Sequence, residues 1–323
     1  MKRRLLIGSL TALPFAERAL AQGADWPVRN VRIVCPFAPG GSQDNIARRL
    51  AAKLGEYLGQ SFVVDNRTGA GGSIAADNAA KSPPDGYSVL LGGIASHALA
   101  PNLYARLPYN PFTDLETVVW IGTQPNLLCC HPSFPHDTLP KLIAAAKAEP
   151  GKYQYGSSGL GTSPSLTMEL LKQKTGVDLT FISYRGAALA AADVLAGHVP
   201  LCIANIDSLM GQVSAGKLKP VASTGARRSP ATPETPTFAD AGYPDLIVTS
   251  WSIWAVPAGT PARIKERLAT ATERALKEPD VIASMRLGGF EPGSMALPDV
   301  EAFIRTEHKR WGEVIRAAGI KPE

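Results

Sequence analysis

The chain has 323 residues, of which 45% are hydrophobic and 19% charged. This ordinary globular composition excludes disorder and collagen-like repeats, and the length suits two domains. The formal net charge is +5, but residues 1–21 hold Lys2, Arg3, Arg4 and Arg18 against Glu17; taking four from 33 and one from 28 leaves 29 basic and 27 acidic residues. A near-neutral surface argues against nucleic acid as a partner.

In chain order, a basic start at Lys2-Arg3-Arg4 precedes an apolar run from Leu5 to Ala16 and a small-x-small site at Ala19-Leu20-Ala21. This pattern predicts a secretory signal peptide over residues 1–21, too short to span a membrane, and hence a periplasmic product. The alternative is a frayed cytosolic N-terminus.

Val31–Phe37 reads as a strand, followed by the loop Ala38-Pro39-Gly40-Gly41. Ile46, Leu50, Leu54 and Leu58 then recur at steps of four, the stripe of an amphipathic helix. Phe62–Val64 is a strand, Gly69-Ala70-Gly71-Gly72 a second glycine loop before an Ala-rich helix, and Tyr87–Leu91 a strand. Leu139–Ala148 predicts helix, Tyr153–Tyr155 strand, and Ser163–Thr175 helix, with Ser163 as N-cap, Pro164 at the first position and Gly176 beyond the end. Leu179–Ser183, Ala187–Ala196 and Leu201–Ala204 give strand, helix, strand. After a Pro/Thr joint at 229–236, Ile247–Val256 is the last long strand. Two helices follow, one with Ile264, Leu268, Ala271 and Ala275 inward, one with Val300, Phe303, Ile304, Trp311, Val314 and Ile315 on one face. Such alternation predicts an α/β fold with mainly parallel sheet.

The chemistry is defined largely by what the motifs lack. Cys35, Cys129, Cys130 and Cys202 are even in number, which in an exported chain invites disulfides, yet each sits in an apolar run where a buried free thiol is the default. None of the five histidines forms HxxxH or HExxH, so neither a metal nor a catalytic base is placed. Gly156-Ser157-Ser158-Gly159-Leu160-Gly161 is neither GxSxG nor GxGxxG. No catalytic residue, metal or cofactor is therefore assigned.

What remains are three small-residue loops, Ala38–Ser42, Gly69–Ser73 and Ser157–Ser163, each between a strand and a helix. Ligands of open α/β sheets sit at such strand ends, where free amides at helix N-termini favour anions. A single such loop is as readily explained by turn geometry alone; three together favour a small-anion site. Asp44 reads as structural, an acid in the first helical turn.

The ordered motifs make a resemblance specific. Pro36-Phe37-Ala38-Pro39-Gly40-Gly41-Ser42-Gln43-Asp44-Asn45-Ile46-Ala47-Arg48, Asn66-Arg67-Thr68-Gly69-Ala70-Gly71-Gly72, Pro84-Asp85-Gly86-Tyr87 and Tyr155-Gly156-Ser157-Ser158-Gly159 resemble the Bug family, the solute receptors of tripartite tricarboxylate transporters. Tyr184-Arg185-Gly186-Ala187, Ala215-Gly216-Lys217-Leu218, Arg228-Ser229-Pro230 and Pro257-Ala258-Gly259-Thr260-Pro261 continue the likeness. It implies a type II periplasmic-binding-protein fold: two α/β domains joined by two crossing strands, Val118–Leu128 and Ile247–Val256, with a ligand cleft between them. The domains would be 22–122 plus 252–323, and 123–251. The ligand would be a small organic carboxylate: a di- or tricarboxylate, an acidic amino acid or an aromatic acid. Partners would be the permease subunits or a sensor, and the receptor would be a monomer. One carboxylate would be held by the first loop, Phe37, Ala38, Pro39, Gly40, Gly41 and Ser42. Ser157, Ser158, Gly161 and Thr162 would face it from the other domain, Tyr184 and Gly186 would line the wall, Asn205 would reach the distal end, and Trp251 would roof the cleft or pack in the core. The family often has Pro where Leu189 stands and Asp where Ala204 stands, which bears on the distal group preferred. The competing reading is an exported serine hydrolase using Ser157 or Ser158.

Overall fold

The computed structural model describes residues 26–317, 319 and 320, so the expected signal peptide lies outside the described residues. β1 (Val31–Cys35) lies between β2 (Phe62–Asn66) and β3 (Ser88–Gly93), all parallel. These strands are apolar and β-branched because helices cover both faces. α1 (Ser42–Leu58) buries Ile46, Leu50 and Leu54 on one face, while α2 (Ser73–Ala80) presents Ala75, Ala76 and Ala79 to the other. A π-helical turn at Ala95–Leu99 leads into the short α3 (Ala100–Leu103).

β4 (Leu115–Cys130) is 16 residues long and belongs to two halves of the molecule. From Leu115 to Pro125 it runs antiparallel to β9 (Thr249–Pro257); from Asn126 to Cys130 it runs antiparallel to β7 (Leu201–Asn205). Around its second part are α4 (Leu139–Ala148), β5 (Gln154–Ser157), α5 (Ser163–Thr175), β6 (Thr180–Ser183), α6 (Ala187–Leu195), α7 (Ile206–Ser214) and β8 (Lys219–Ser223). Strand β9 returns the chain to the first half, where α8 (Ala262–Ala275), α9 (Pro279–Leu287), β10 (Glu291–Pro292) and α10 (Leu297–Ala317) complete it. The strands follow the order β2-β1-β3-β9-β4-β7-β5-β6, with β8 and β10 also paired to β4.

Strand alternation separates the cores of the second half. Leu128 and Cys130 join one cluster with Leu142 and Leu171, while Leu127 and Cys129 join another with Ala190 and Val194. Each half is thus a sheet between two helical layers. The four cysteines are free and buried in these layers. Burial pushes the thiols of Cys35 and Cys202 up to about 12, far from a reactive thiolate.

The expected elements appear with end shifts of up to three residues, but the sheet is not mainly parallel: β4 and β9 pair antiparallel with every neighbour, because the chain crosses between the halves on them. The crossing strands extend to Leu115–Cys130 and Thr249–Pro257. The α5 cap moves back by one: Thr162 is the N-cap, in a reciprocal capping box with Ser165, and Gly176 is the C-cap. β8, α7, α9 and the Ala95–Leu99 turn were not expected.

Candidate functional site

A cavity of about 290 Å³ lies where the two halves meet. The first half contributes Pro36–Pro39, Gly41, Ser42 and Gln43, and the end of β3 with the π-helical turn, Leu91–Ser96. The second half contributes Ser158, Thr162–Pro164, Gly186–Leu189, Asn205 and Ser208, and β9 contributes Ser250. The first turns of α1 and α7 touch directly: the Ser42 amide donates to Ser208 Oγ at 3.0 Å.

No lining residue carries a charged side chain. The cavity instead receives four helix N-termini, whose caps are Gly41 for α1, Thr162 for α5, Gly186 for α6 and Asn205 for α7. The first turn of each helix leaves amides that no intrahelical carbonyl can take, at the positive end of the helix dipole. Most lining hydroxyls are engaged by protein. Ser163 Oγ lies 3.2 Å from Asn126 Oδ1 and 2.6 Å from Ser250 Oγ, which lies 2.8 Å from Asn205 Oδ1, so two hydroxyl hydrogens serve these three contacts. Gln124 Nε2 donates to Ser42 Oγ. Among the described residues the Ser158 hydroxyl has no protein partner.

Asp44 holds the first loop in shape. Its carboxylate accepts from the Gly40 amide at 2.9 Å, Arg48 Nε at 2.8 Å and Asn66 Nδ2 at 3.0 Å. Burial alone would raise its pKa, but the hydrogen bonds from Arg48, Gly40 and Asn66 outweigh it and hold the carboxyl below the usual range.

Nine of the fourteen expected residues line the cavity: Phe37, Ala38, Pro39, Gly41, Ser42, Ser158, Thr162, Gly186 and Asn205. Five do not. Gly40 gives its amide to Asp44. Ser157 is buried with its hydroxyl on the Ile203 carbonyl. Gly161 sits beside Leu103 Cδ1 and near Gly71. Tyr184 turns its ring against Gly156 and donates to Asp193 Oδ2 at 2.5 Å, which with burial pushes its phenol up to about 12. Trp251 is fully buried and stacked on Trp120 at 6.1 Å, so it is a core residue and not a roof. Alternation along β9 explains this, because Ser250 and Ser252 face the α1 side and Trp251 the opposite one.

Sequence reasoning missed Pro36, Gln43, Leu91–Ser96, Pro164, Ala187–Leu189, Ser208 and Ser250, and held Ser163 only as the end of its third loop. Gly92-Gly93 after the third strand carried the same small-residue signal as the other loops. Gln43 is buried, donating Nε2 to Ser252 Oγ at 3.1 Å while its Oε1 has no partner.

The sequence profile described as "Tripartite tricarboxylate transporter family receptor" matches residues 46–320. The chain belongs to this family. BugT of Bordetella pertussis is 36% identical over 298 residues, covering 92% of this chain and 91% of that protein. An R. palustris protein solved with adipate is 39% identical with a TM-score of 0.88, covering 92% of this chain and 100% of that one. MatC from Rhodopseudomonas palustris with bound malate is 29% identical with a TM-score of 0.85, covering 90% and 100%. The type II periplasmic-binding fold and the receptor function expected from the resemblance are borne out, and the family receptor is a solute-binding protein, not an enzyme. The serine hydrolase reading finds no support: Ser157 is capped by a carbonyl and no histidine lines the cavity.

Proposed function

We propose that this receptor captures a small organic carboxylate in the cavity between its halves, in the periplasm, for delivery to the family's membrane permease or to a sensor. The observation that carries the reading is the convergence of four helix N-termini on a cavity without charged side chains. Such an arrangement favours an anion through amides and dipoles, and nothing in the lining competes with it. Adipate in one neighbour and malate in another support the carboxylate class. The basic and apolar start of the sequence supports export.

The halves act as lobes 22–122 plus 252–323, and 123–251, in a monomer that closes on its ligand about the crossing strands. The change of β4's partner between Pro125 and Asn126 supports a hinge there. The test is a thermal-shift screen against mono-, di- and tricarboxylates and amino acids. A ligand at 100 times its Kd stabilises the native state by roughly 2.7 kcal/mol, read as a higher melting temperature. Stabilisation by uncharged or cationic solutes, with none by any acid, would sink the proposal.

A further inference from the structure

Asp207 is the group that the proposed function leaves unexplained. It stands in the first turn of α7, next to Ser208, which lines the cavity and accepts the Ser42 amide. Both of its carboxylate oxygens are buried and no hydrogen bond of good geometry from the described residues reaches either, although the Ser42 and Ser208 hydroxyls lie close enough to pull on it. Buried polar atoms are nearly always paired, and an unpaired carboxylate is far more costly than an unpaired acid. Three elements pack around it. α1 brings Ser42 and Arg49, the one charge acting on it; β4 brings the neutral Gln124; and the end of α9 brings Gly288, where an added Cβ would lie 3.2 Å from that of Asp207.

We propose that anion capture in the cavity is coupled to uptake of a proton by Asp207. The proposal rests on the carboxylate-receptor reading. Ionised Asp207 occupies the positive end of α7, the same dipole that a bound anion would use. Protonation removes this competitor and leaves the α7 terminus to the ligand. The packed arrangement of α1, β4 and α9 denies the carboxylate water, and separation of α1 from α7 restores it.

The sign follows from burial. It pushes the carboxyl from 3.8 up to about 7, outweighing Ser42, Arg49 and Ser208, which pull it down. The packed, ligand-bound state therefore holds a proton at neutral pH that an opened, hydrated Asp207 would release. Linkage then makes binding tighter as pH falls, about tenfold per pH unit below the raised value and flat above it, or about tenfold between pH 8 and pH 6.

The experiment is calorimetric titration of adipate at pH 6, 7 and 8 into the wild type and Asp207→Asn, with Asp207→Ser as a second neutral variant if the first folds poorly. Wild-type Kd should be about tenfold lower at pH 6 than at pH 8, and the neutral variants should vary less than twofold. The variants subtract any titration of adipate itself. Equal pH dependence in wild type and variants, or none in the wild type, overturns the coupling. Melting curves at saturating adipate provide a separate arm: the ligand-induced rise of the wild type should shrink as pH goes from 6 to 8, and that of the neutral variants should not. A wild-type rise that ignores pH overturns the coupling; no rise in any of the three proteins counts instead against the linear-diacid reading of the site, and the same titrations with malate then decide the coupling.

Discussion

Replacing Asp44 with Asn tests how the first loop is held. The carboxylate is 3% exposed and accepts from the Gly40 amide, Arg48 Nε and Asn66 Nδ2. An asparagine with its oxygen at the Oδ2 position keeps the Gly40 and Arg48 contacts without their charge and turns its NH₂ group toward Asn66 Nδ2, so the Asn66 bond is lost. Arg48 is 55% exposed, so losing the charge there costs little. The Gly40 and Asn66 donors are part-buried, and leaving Asn66 unmet beside a weakened Gly40 bond costs about 2–4 kcal/mol. At roughly 2–4 °C per kcal/mol for a body of this size, the melting temperature should fall by about 4–16 °C. The pH dependence gives a second signature. Because the folded carboxyl titrates below its ordinary 3.8, its contribution is complete above that value and is lost as pH falls through the lower folded value. The gap between wild type and variant should therefore be constant at neutral pH and shrink in acid. Scanning calorimetry from neutral pH into acid measures both. A loss under about 1 kcal/mol, or a gap that ignores acidification, would refute the claim that Asp44 fixes the loop through its charge.

Gly186→Leu should weaken ligand binding at least tenfold while leaving the fold intact. Its φ of 168° suits any residue, but an added Cβ would lie 3.2 Å from Ala38 Cβ across the cavity. Isothermal titration beside a melting curve separates the two effects, and undiminished affinity would show that the halves need not approach there. Gly93→Ala should destabilise by about 1–3 kcal/mol, because its Cβ would lie 2.3 Å from the Trp251 carbonyl oxygen; an unchanged urea midpoint would contradict that packing. Ligand should shift tryptophan emission equally in the wild type and in Trp251→Phe, since Trp251 lies against Trp120 and Phe303 in the core; a signal lost with Trp251 would put that ring in the cleft after all.

The layers were legible because burial writes them as periodicity. Ile46, Leu50 and Leu54 mark the covered face of α1, and all three are fully buried. β8 was illegible because Pro220 and Lys219 interrupt a five-residue strand that exists only through pairing with β4. In the site, glycine-rich loops announced Ala38–Gly41, but they could not say which amides remain free. That depends on contacts far apart in sequence, such as Ser42 with Ser208. Tyr184 and Trp251 failed for a related reason: both lie close in sequence to cavity residues, yet strand alternation and the Asp193 partner turn them away.

The absence of charged lining has a consequence for selectivity. Amides and dipoles belong to the backbone, so the side chains on the same turns can change without removing the anion site. Ala187, Ala188 and Leu189 on the first turn of α6, with Leu91 and Ile94 opposite, then set the size and apolar character of what fits. Attraction for the charged end, in contrast, depends on how many helix termini reach it at once. α1 comes from the first half, and α5, α6 and α7 from the second. An anion touching one half meets at most part of this field, in water that screens it. Closure as proposed would bring all four termini to a desolvated ligand at once, where dipoles act most strongly. In the proposed closing receptor affinity therefore follows closure, and a bulky side chain at Gly186 weakens capture by holding the Ala38 loop away.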